Sequence, residues 1–180
     1  MIKKFKYCPT CKEKLKIINQ KIDCSACGFH FYLNPVPTVA IILENKNGQI
    51  LFGKRKFLPK KGLWDLPGGF VEFNEKAEKA IIREVKEELE IEIKDPKVLG
   101  TYIGFYHYKG INYQPLCVVF FEKITDEEIK KIKAADDVLS IKFFSKNKIP
   151  WKKLAFPDII QALKDYLNLY PFAKDGKNQK

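Results

Sequence analysis

Apolar and polar positions follow two different periods along this chain. Val39–Leu43 (VAIIL) is a continuous apolar run, the pattern of a strand buried on both faces. Glu44–Gln49 (ENKNGQ) is polar and centres on Asn47-Gly48, which predicts a hairpin turn into a partner strand at Ile50–Arg55. Residues 56–70 are rich in Gly and Pro and read as loop. From Asn74 to Glu90 there is no Gly or Pro and the apolar spacing is helical, so a helix is predicted with Asn74 as its cap and Glu75 in its first turn. Two strand-like runs follow, Val98–Tyr108 and Pro115–Lys123, with Lys109-Gly110-Ile111-Asn112 suited to a hairpin between them. Thr125–Lys133 predicts a short helix capped by Thr125, and Leu139–Phe144 a strand. Pro157–Tyr170 predicts a last amphipathic helix with Pro157 in its first turn.

The segment Asn34-Pro35-Val36-Pro37 punctuates the chain and divides it into a cysteine-bearing part, 1–34, and a larger domain, 35–170. The polar stretch 171–180 is expected to be a flexible tail. With 180 residues, 46% of them apolar, there is enough material for a core. No apolar run approaches a membrane span, and the basic N-terminus has no apolar segment behind it, so a cytoplasmic protein without a membrane partner is expected. The net charge of +11 favours polyanionic ligands such as phosphates, nucleotides or RNA. A solvated Lys-rich surface explains the same surplus, because the basic residues are scattered rather than clustered.

Chemistry enters with three acids of the Asn74–Glu90 helix. Glu84, Glu87 and Glu88 stand at i, i+3 and i+4 and project from one side. Ile81, Ile82, Val85 and Leu89 form a separate apolar stripe that can dock on a core. At about 6 Å and an effective dielectric of about 20, each pair of these carboxylates repels by about 3 kcal/mol. Such a face calls for a counter-charge, and a hard divalent cation such as Mg²⁺ or Mn²⁺ with phosphate oxygens as further ligands is the natural one. An ordinary solvated face, with Lys76, Lys79 and Lys86 as partners, is the plainer reading of the acids alone.

The surrounding residues favour the metal. Gly69, five residues, Glu75, seven residues, then Arg83-Glu84-Val85-Lys86-Glu87-Glu88-Leu89-Glu90-Ile91 resembles the Nudix box, G-x5-E-x7-R-E-U-x-E-E-x-G-U with U a bulky aliphatic. Only Glu90 departs from it, standing where the family has Gly to end the helix in a left-handed turn. The preceding Gly62–Gly69 (GLWDLPGG) also looks like the loop that leads into the box. The resemblance implies an α/β fold, a Nudix α/β/α sandwich around a mixed sheet. It implies hydrolysis of a nucleotide-type pyrophosphate bond, with Mg²⁺ or Mn²⁺ on Glu84, Glu87, Glu88 and the carbonyl of Gly68 or Gly69. It also implies a pair between Glu75 and Arg83 that fixes the loop against the helix. The base that takes the proton of the attacking water is left between Glu84, Glu87 and a loop acid. Asp126, Glu127, Glu128, Asp136 and Asp137 are the loop candidates, with Asp137 preferred.

Cys8-x2-Cys11 and Cys24-x2-Cys27, twelve residues apart, suit a tetrahedral Cys₄ zinc site with a hairpin at Leu15–Ile22 between the knuckles. The segment resembles a zinc ribbon, with Gly28 placed to turn the second knuckle. A disulfide pair or a redox motif are the competing readings, and a cytoplasmic location disfavours the former. Such a site is closed and structural. Cys117, in LCVVFF, reads as a buried core thiol. The ribbon's lysines and its aromatics Phe5, Tyr7, Phe29, Phe31 and Tyr32 could bind nucleic acid, although aromatics that glue a tiny domain to its neighbour explain them as well.

A ribbon before a Nudix box is similar to the NADH pyrophosphatase group, but that group's Ser-Gln-Pro-Trp-Pro-Phe-Pro-x-Ser signature is absent from IKDPKVLGTYIGFYHYKG. The proline that marks ADP-ribose hydrolases about sixteen positions past the box is replaced by the Tyr106–His107 region. Tyr108 fits the tyrosine of dinucleoside polyphosphate hydrolases, and Tyr106 and Tyr108 are the candidates for stacking on a base. Leu154-Ala155-Phe156-Pro157 resembles a stretch found before the last helix of small Nudix hydrolases. The expected substrate is a nucleoside diphosphate linked to another group, ADP-ribose or an NADH-type dinucleotide first. A nucleotide sensor without catalysis and an RNA 5′-pyrophosphohydrolase are the alternatives, and a homodimer is compatible with either.

Overall fold

The computed structural model describes residues 5–18 and 21–171. Strands β1 (Lys16–Ile18), β2 (Lys21–Asp23) and β3 (His30–Tyr32) form a small antiparallel sheet. The tip of the expected hairpin and the tail from residue 172 lie outside the described residues. The third strand was not expected from the sequence. It is three residues long with every side chain exposed, too short to show an alternating pattern.

The larger sheet is built from β4 (Val36–Glu44), β5 (Gln49–Arg55), β6 (Trp64–Asp65), β7 (Lys97–Ile103), β10 (Pro115–Lys123) and β11 (Val138–Ser145). Its order is β11-β5-β4-β10-β7, with β6 on β5. The β4–β10 pair is parallel and the others antiparallel, so the sheet is mixed. Helices α1 (Ala77–Leu89), α2 (Asp126–Lys131) and α3 (Pro157–Leu169) complete the fold.

The unbroken VAIIL run now has its reason. Val39, Ile41 and Leu43 of β4 face a cluster with Ala80, Ile81, Val85 and Leu89 of α1. Ala40 and Ile42 face the opposite cluster with Ile159, Ala162, Leu163 and Tyr166 of α3. Both faces of the strand are dry, as an α/β/α sandwich requires. A buried ion pair, Lys146 Nζ to Glu44 Oε2 at 2.7 Å, and the Tyr166 hydroxyl donating to the same oxygen at 2.8 Å tie α3 to the end of β4. No helix among the described residues is long and apolar enough to cross a membrane.

Three expectations need correction. Asn74 does not cap α1: it sits in a left-handed turn at φ 62° and the helix begins at Ala77 after Lys76. Glu75 explains the delay, because its carboxylate takes the Glu72 N–H at 3.0 Å and closes a turn before the helix can start. The run Val98–Tyr108 is two elements. After β7 the chain leaves the sheet, and β8 (Tyr106–Tyr108) pairs only with β9 (Ile111–Tyr113) across Lys109-Gly110. The third concerns α2. Its predicted cap is confirmed, as Thr125 and Glu128 form a capping box, but the helix stops at Lys131 rather than Lys133.

Candidate active site

β4 and β5 pair at a single position, Glu44 with Ile50, and then diverge. The Gly-rich loop fills the free edge that this leaves on β4. Val39 N–H donates to Gly69 O, Ile41 N–H to Pro67 O, and Val71 N–H to Pro37 O. Gly68, between two carbonyls so used, has φ 145°, and a Cβ on it would stand 2.1 Å from Val39 O. A Cβ on Gly69 would meet Glu84 Oε1 at 2.4 Å. Both glycines are therefore demanded by close approach, one to the strand and the other to the acids. Among the described residues the Gly68 carbonyl takes no backbone bond, unlike that of Gly69.

The helix brings Glu84, Glu87 and Glu88 to this ridge. Arg83 is their hub. Its Nε and Nη2 form a fork on Glu75 at 3.0 and 2.9 Å, Nη2 also reaches Phe70 O, and Nη1 donates to Glu84 at 2.8 Å and Glu87 at 3.0 Å. The hydrogen bonds from Arg83 hold the Glu75 carboxyl below its usual range. Glu88 is buried, accepts the Gly68 N–H at 3.0 Å and is pushed well above the ordinary carboxylate range by burial and by Asp137. Burial also pushes Glu84 up; Arg83 pulls it down, and the charges of Glu87 and Asp137 push it up again.

Of the five loop acids singled out in the sequence, Asp137 faces this cluster. Asp126 pairs with Lys46, and Glu128 closes the cap of α2. Neither does Asp136 reach it: that residue takes a left-handed turn at φ 44°, exposed. A small cavity of about 20 Å³, about the size one water needs, lies between Gly68, Glu88, Asp137 and the Arg55–Asp65 pair.

Glu90 does what the family's Gly does. It ends α1 at φ 58°, with its N–H bonded to Lys86 O at 3.0 Å, so the helix is not extended. The left-handed turn costs about 1 kcal/mol for a residue with a Cβ.

On the other side of the Gly68–Gly69 ridge opens a cavity of about 280 Å³. Tyr106 and Tyr108, the stacking candidates, both line it, as i and i+2 on one strand must. His107 points away and bonds Asn112 at 2.6 Å. The sequence reading missed Arg55, Asp65, Phe156 and Asp158, which line the same cavity from β5, β6 and α3. Phe156 belongs to the stretch already noted before the last helix, and that was the available signal. Arg55 donates to Asp65 at 3.0 Å and lies over the Phe156 ring at 5.0 Å. Burial pushes Asp65 up to about 7 in spite of Arg55.

The four cysteines also converge. Their sulfur atoms all lie within 4.8 Å of one another, with Cys8–Cys27 at 3.7 Å and Cys11–Cys24 at 3.4 Å. Tetrahedral zinc–thiolate bonds would place sulfurs about 3.8 Å apart, so the spacing fits a zinc ion. The two knuckles are built alike. Lys12 N–H bonds Cys8 O and Gly28 N–H bonds Cys24 O, with φ 67° and 74° at the two turning residues. Cys117 is buried in the main core, as expected.

These features have close parallels. The family model of the NUDIX domain matches residues 34–166. The ADP-ribose pyrophosphatase of Methanocaldococcus jannaschii is 38% identical over 139 residues, 77% of either chain. An RNA pyrophosphohydrolase of Hydrogenovibrio crunogenus is 38% identical over 88 residues, 46% of this chain and 52% of the relative. Among solved structures, a NUDIX hydrolase from Nitrosomonas europaea superposes with a TM-score of 0.62 at 26% identity and covers 92% of each chain. With every box position but Glu90 matched at the ridge and its sandwich shared, the chain belongs to the Nudix family of pyrophosphohydrolases.

Proposed function

We propose that this chain hydrolyses the pyrophosphate bond of a nucleoside diphosphate linked to another group, with ADP-ribose the first substrate to test. One observation carries the reading: a cluster of four acids, Glu84, Glu87, Glu88 and Asp137, shares the Gly68–Gly69 ridge with an aromatic-walled cavity. The relative from Methanocaldococcus jannaschii, named ADP-ribose pyrophosphatase, supports the choice of substrate. An NADH-type dinucleotide is the next compound in line.

The donor set fits Mg²⁺ or Mn²⁺. Acids that burial and mutual repulsion push toward protonation gain most from a divalent cation, and all donors are oxygens. Glu84, Glu87, Glu88 and the free Gly68 carbonyl would hold it. When bound, such an ion neutralises the pyrophosphate oxygens and acidifies a water. The nucleoside would enter the cavity and leave its diphosphate at the ridge. Asp137, with Glu84 or Glu87 as the alternative, would take the proton as the water oxygen bonds to phosphorus. The bridging P–O bond breaks, and for ADP-ribose the products are AMP and ribose 5-phosphate. Arg83 and Glu75 would act as positioning residues that hold Glu84, Glu87 and the loop in place. The four cysteines would hold a structural zinc ion, and nothing in that closed set invites catalysis.

A second reading has an observation of its own. A groove lined by Lys56, Phe57, Lys61, His107, Tyr108 and Lys109 adjoins the cavity through Leu58, Pro59 and Tyr108 and contains no acid. It suits an RNA 5′ end, the substrate class in the name of the Hydrogenovibrio relative. A non-catalytic sensor is disfavoured by the complete acid set.

The test is turnover with Mg²⁺ or Mn²⁺ on ADP-ribose, NADH, dinucleoside polyphosphates, nucleoside triphosphates and 5′-triphosphate RNA. ADP-ribose or NADH is expected to turn over fastest. Preference for the RNA would move the assignment to the second reading. Tight nucleotide binding without any turnover would leave the sensor.

A further inference from the structure

The cavity wall contains a carboxylate with one unpaired oxygen. Asp158 is 7% exposed and lines the cavity from the first turn of α3. Its Oδ1 is fully buried and has no hydrogen-bond partner among the described residues. Backbone N–H groups of Asp158 and Ile159 face the carboxylate and favour its charge, while burial disfavours it. The fold also makes room for it. A Cβ on Gly104, just after β7, would stand 2.7 Å from Oδ2 and 3.1 Å from Oδ1.

Most other polar groups of the wall are occupied. Asp65 takes Arg55 Nη1 and the Leu66 N–H, both at 3.0 Å, and Arg55 Nε donates to Pro59 O. Aromatic rings line the same cavity: Phe156, Tyr106 with its ring centroid 5.9 Å from that of Phe156, and Phe105. A flat ligand that brings an N–H donor suits such a wall. A buried acceptor left unpaired costs far more than it returns when paired, so such a group discriminates strongly. The terminal torsion of an Asp is soft, so either oxygen can turn to meet the donor.

We propose that Asp158 receives the exocyclic amine of an amino-bearing nucleobase, adenine type, and rejects the corresponding 6-oxo base. The proposal rests on reading the cavity as the nucleoside end of the site. Gly104 is its positioning partner, because only a residue without Cβ leaves the carboxylate where it is.

The test separates base choice from hydrolysis. Binding of AMP and IMP to the full chain is measured by calorimetry in EDTA, and kcat/KM is measured with Mg²⁺ for ADP-ribose against its inosine counterpart. AMP is expected to bind ~10- to 100-fold more tightly than IMP, with the same ranking in kcat/KM. In Asp158→Asn the amide offers a donor in the same shape, so the preference should fall at least about tenfold or reverse. Gly104→Ala should weaken the preference in the same direction, with melting curves confirming that both variants fold. Equal affinity for AMP and IMP, failure to bind either, or a preference untouched by Asp158→Asn would overturn the proposal. A retained AMP preference in a protein that turns over no substrate would uphold it and remove the proposed reaction instead.

Discussion

The ribbon and the acid ridge each gather four side chains from two places in the chain, thiols in one and carboxylates in the other, yet they stand on different foundations. The ribbon's buried cluster is Cys8, Leu15, Ile22 and Cys24, so half of its core consists of cysteines. The ridge stands on α1, whose Ala80, Ile81, Val85 and Leu89 are fully buried against the sheet. In the ribbon a metal would complete the fold. At the ridge the fold is complete without it, and holds together acids that repel. Ligands that make a core are structural, and ligands held at the edge of an independent core are free to do chemistry.

The harshest test of this contrast is Cys24→Ser. Zinc binding to such sites contributes about 10–16 kcal/mol to folding, so the variant should lose its metal and residues 5–33 should become protease-sensitive. The Nudix part should still melt cooperatively. Metal analysis with limited proteolysis reads this, and a ribbon still protected without metal would erase the distinction.

Glu88→Gln should do the reverse. Activity should fall about a thousandfold or more, some 4 kcal/mol, because the site loses a metal oxygen donor. Stability in EDTA should hold or rise. The sign follows from the raised Glu88 and Glu84. Above the ordinary carboxylate pKa, the folded state keeps protons that the unfolded state has released, so stability falls as pH rises through the acid-to-neutral range. Metal-free protein should therefore melt at lower temperature at pH 7.5 than at pH 5.5. Mn²⁺ should restore the loss, and Glu88→Gln should flatten the slope. A metal-free melting temperature that climbs with pH would contradict the assignment.

Arg83→Lys keeps a charge but loses the fork on Glu75. Activity should drop about 10- to 100-fold with weaker metal affinity, as for residues that orient ligands. A titration of activity against Mn²⁺ separates the two effects. The mildest change is Glu90→Gly. It should add about 1 kcal/mol of stability by relieving the left-handed turn, with kcat unchanged, as chemical denaturation and a rate assay would show.

Legibility in the sequence followed the range of the interaction that carries each feature. The Glu84–Glu87–Glu88 face, the Thr125 cap and the two cysteine knuckles depend on neighbours a few residues apart, and they were readable. Asn74 was misread because Glu75 is claimed by Glu72 N–H and Arg83, and a cap depends on what its competitors bind. The strand Val98–Tyr108 was misread because its apolar pattern continues across a break that pairing alone reveals.

Sequence by itself determined the family, the pyrophosphohydrolase class and the members of the cysteine set and of the three-acid helix face, because fixed side chains at fixed spacing on a helix or in a knuckle leave little freedom. Tertiary structure alone decided which loop acid joins the helix, since Asp137 arrives from a segment 49 positions beyond Glu88 in sequence. It also decided where a base would lie. Arg55, Asp65, Phe156 and Asp158 line one cavity from three segments and Gly104, from a fourth, makes room for Asp158; only the splaying of β4 from β5 and the docking of α3 bring them together.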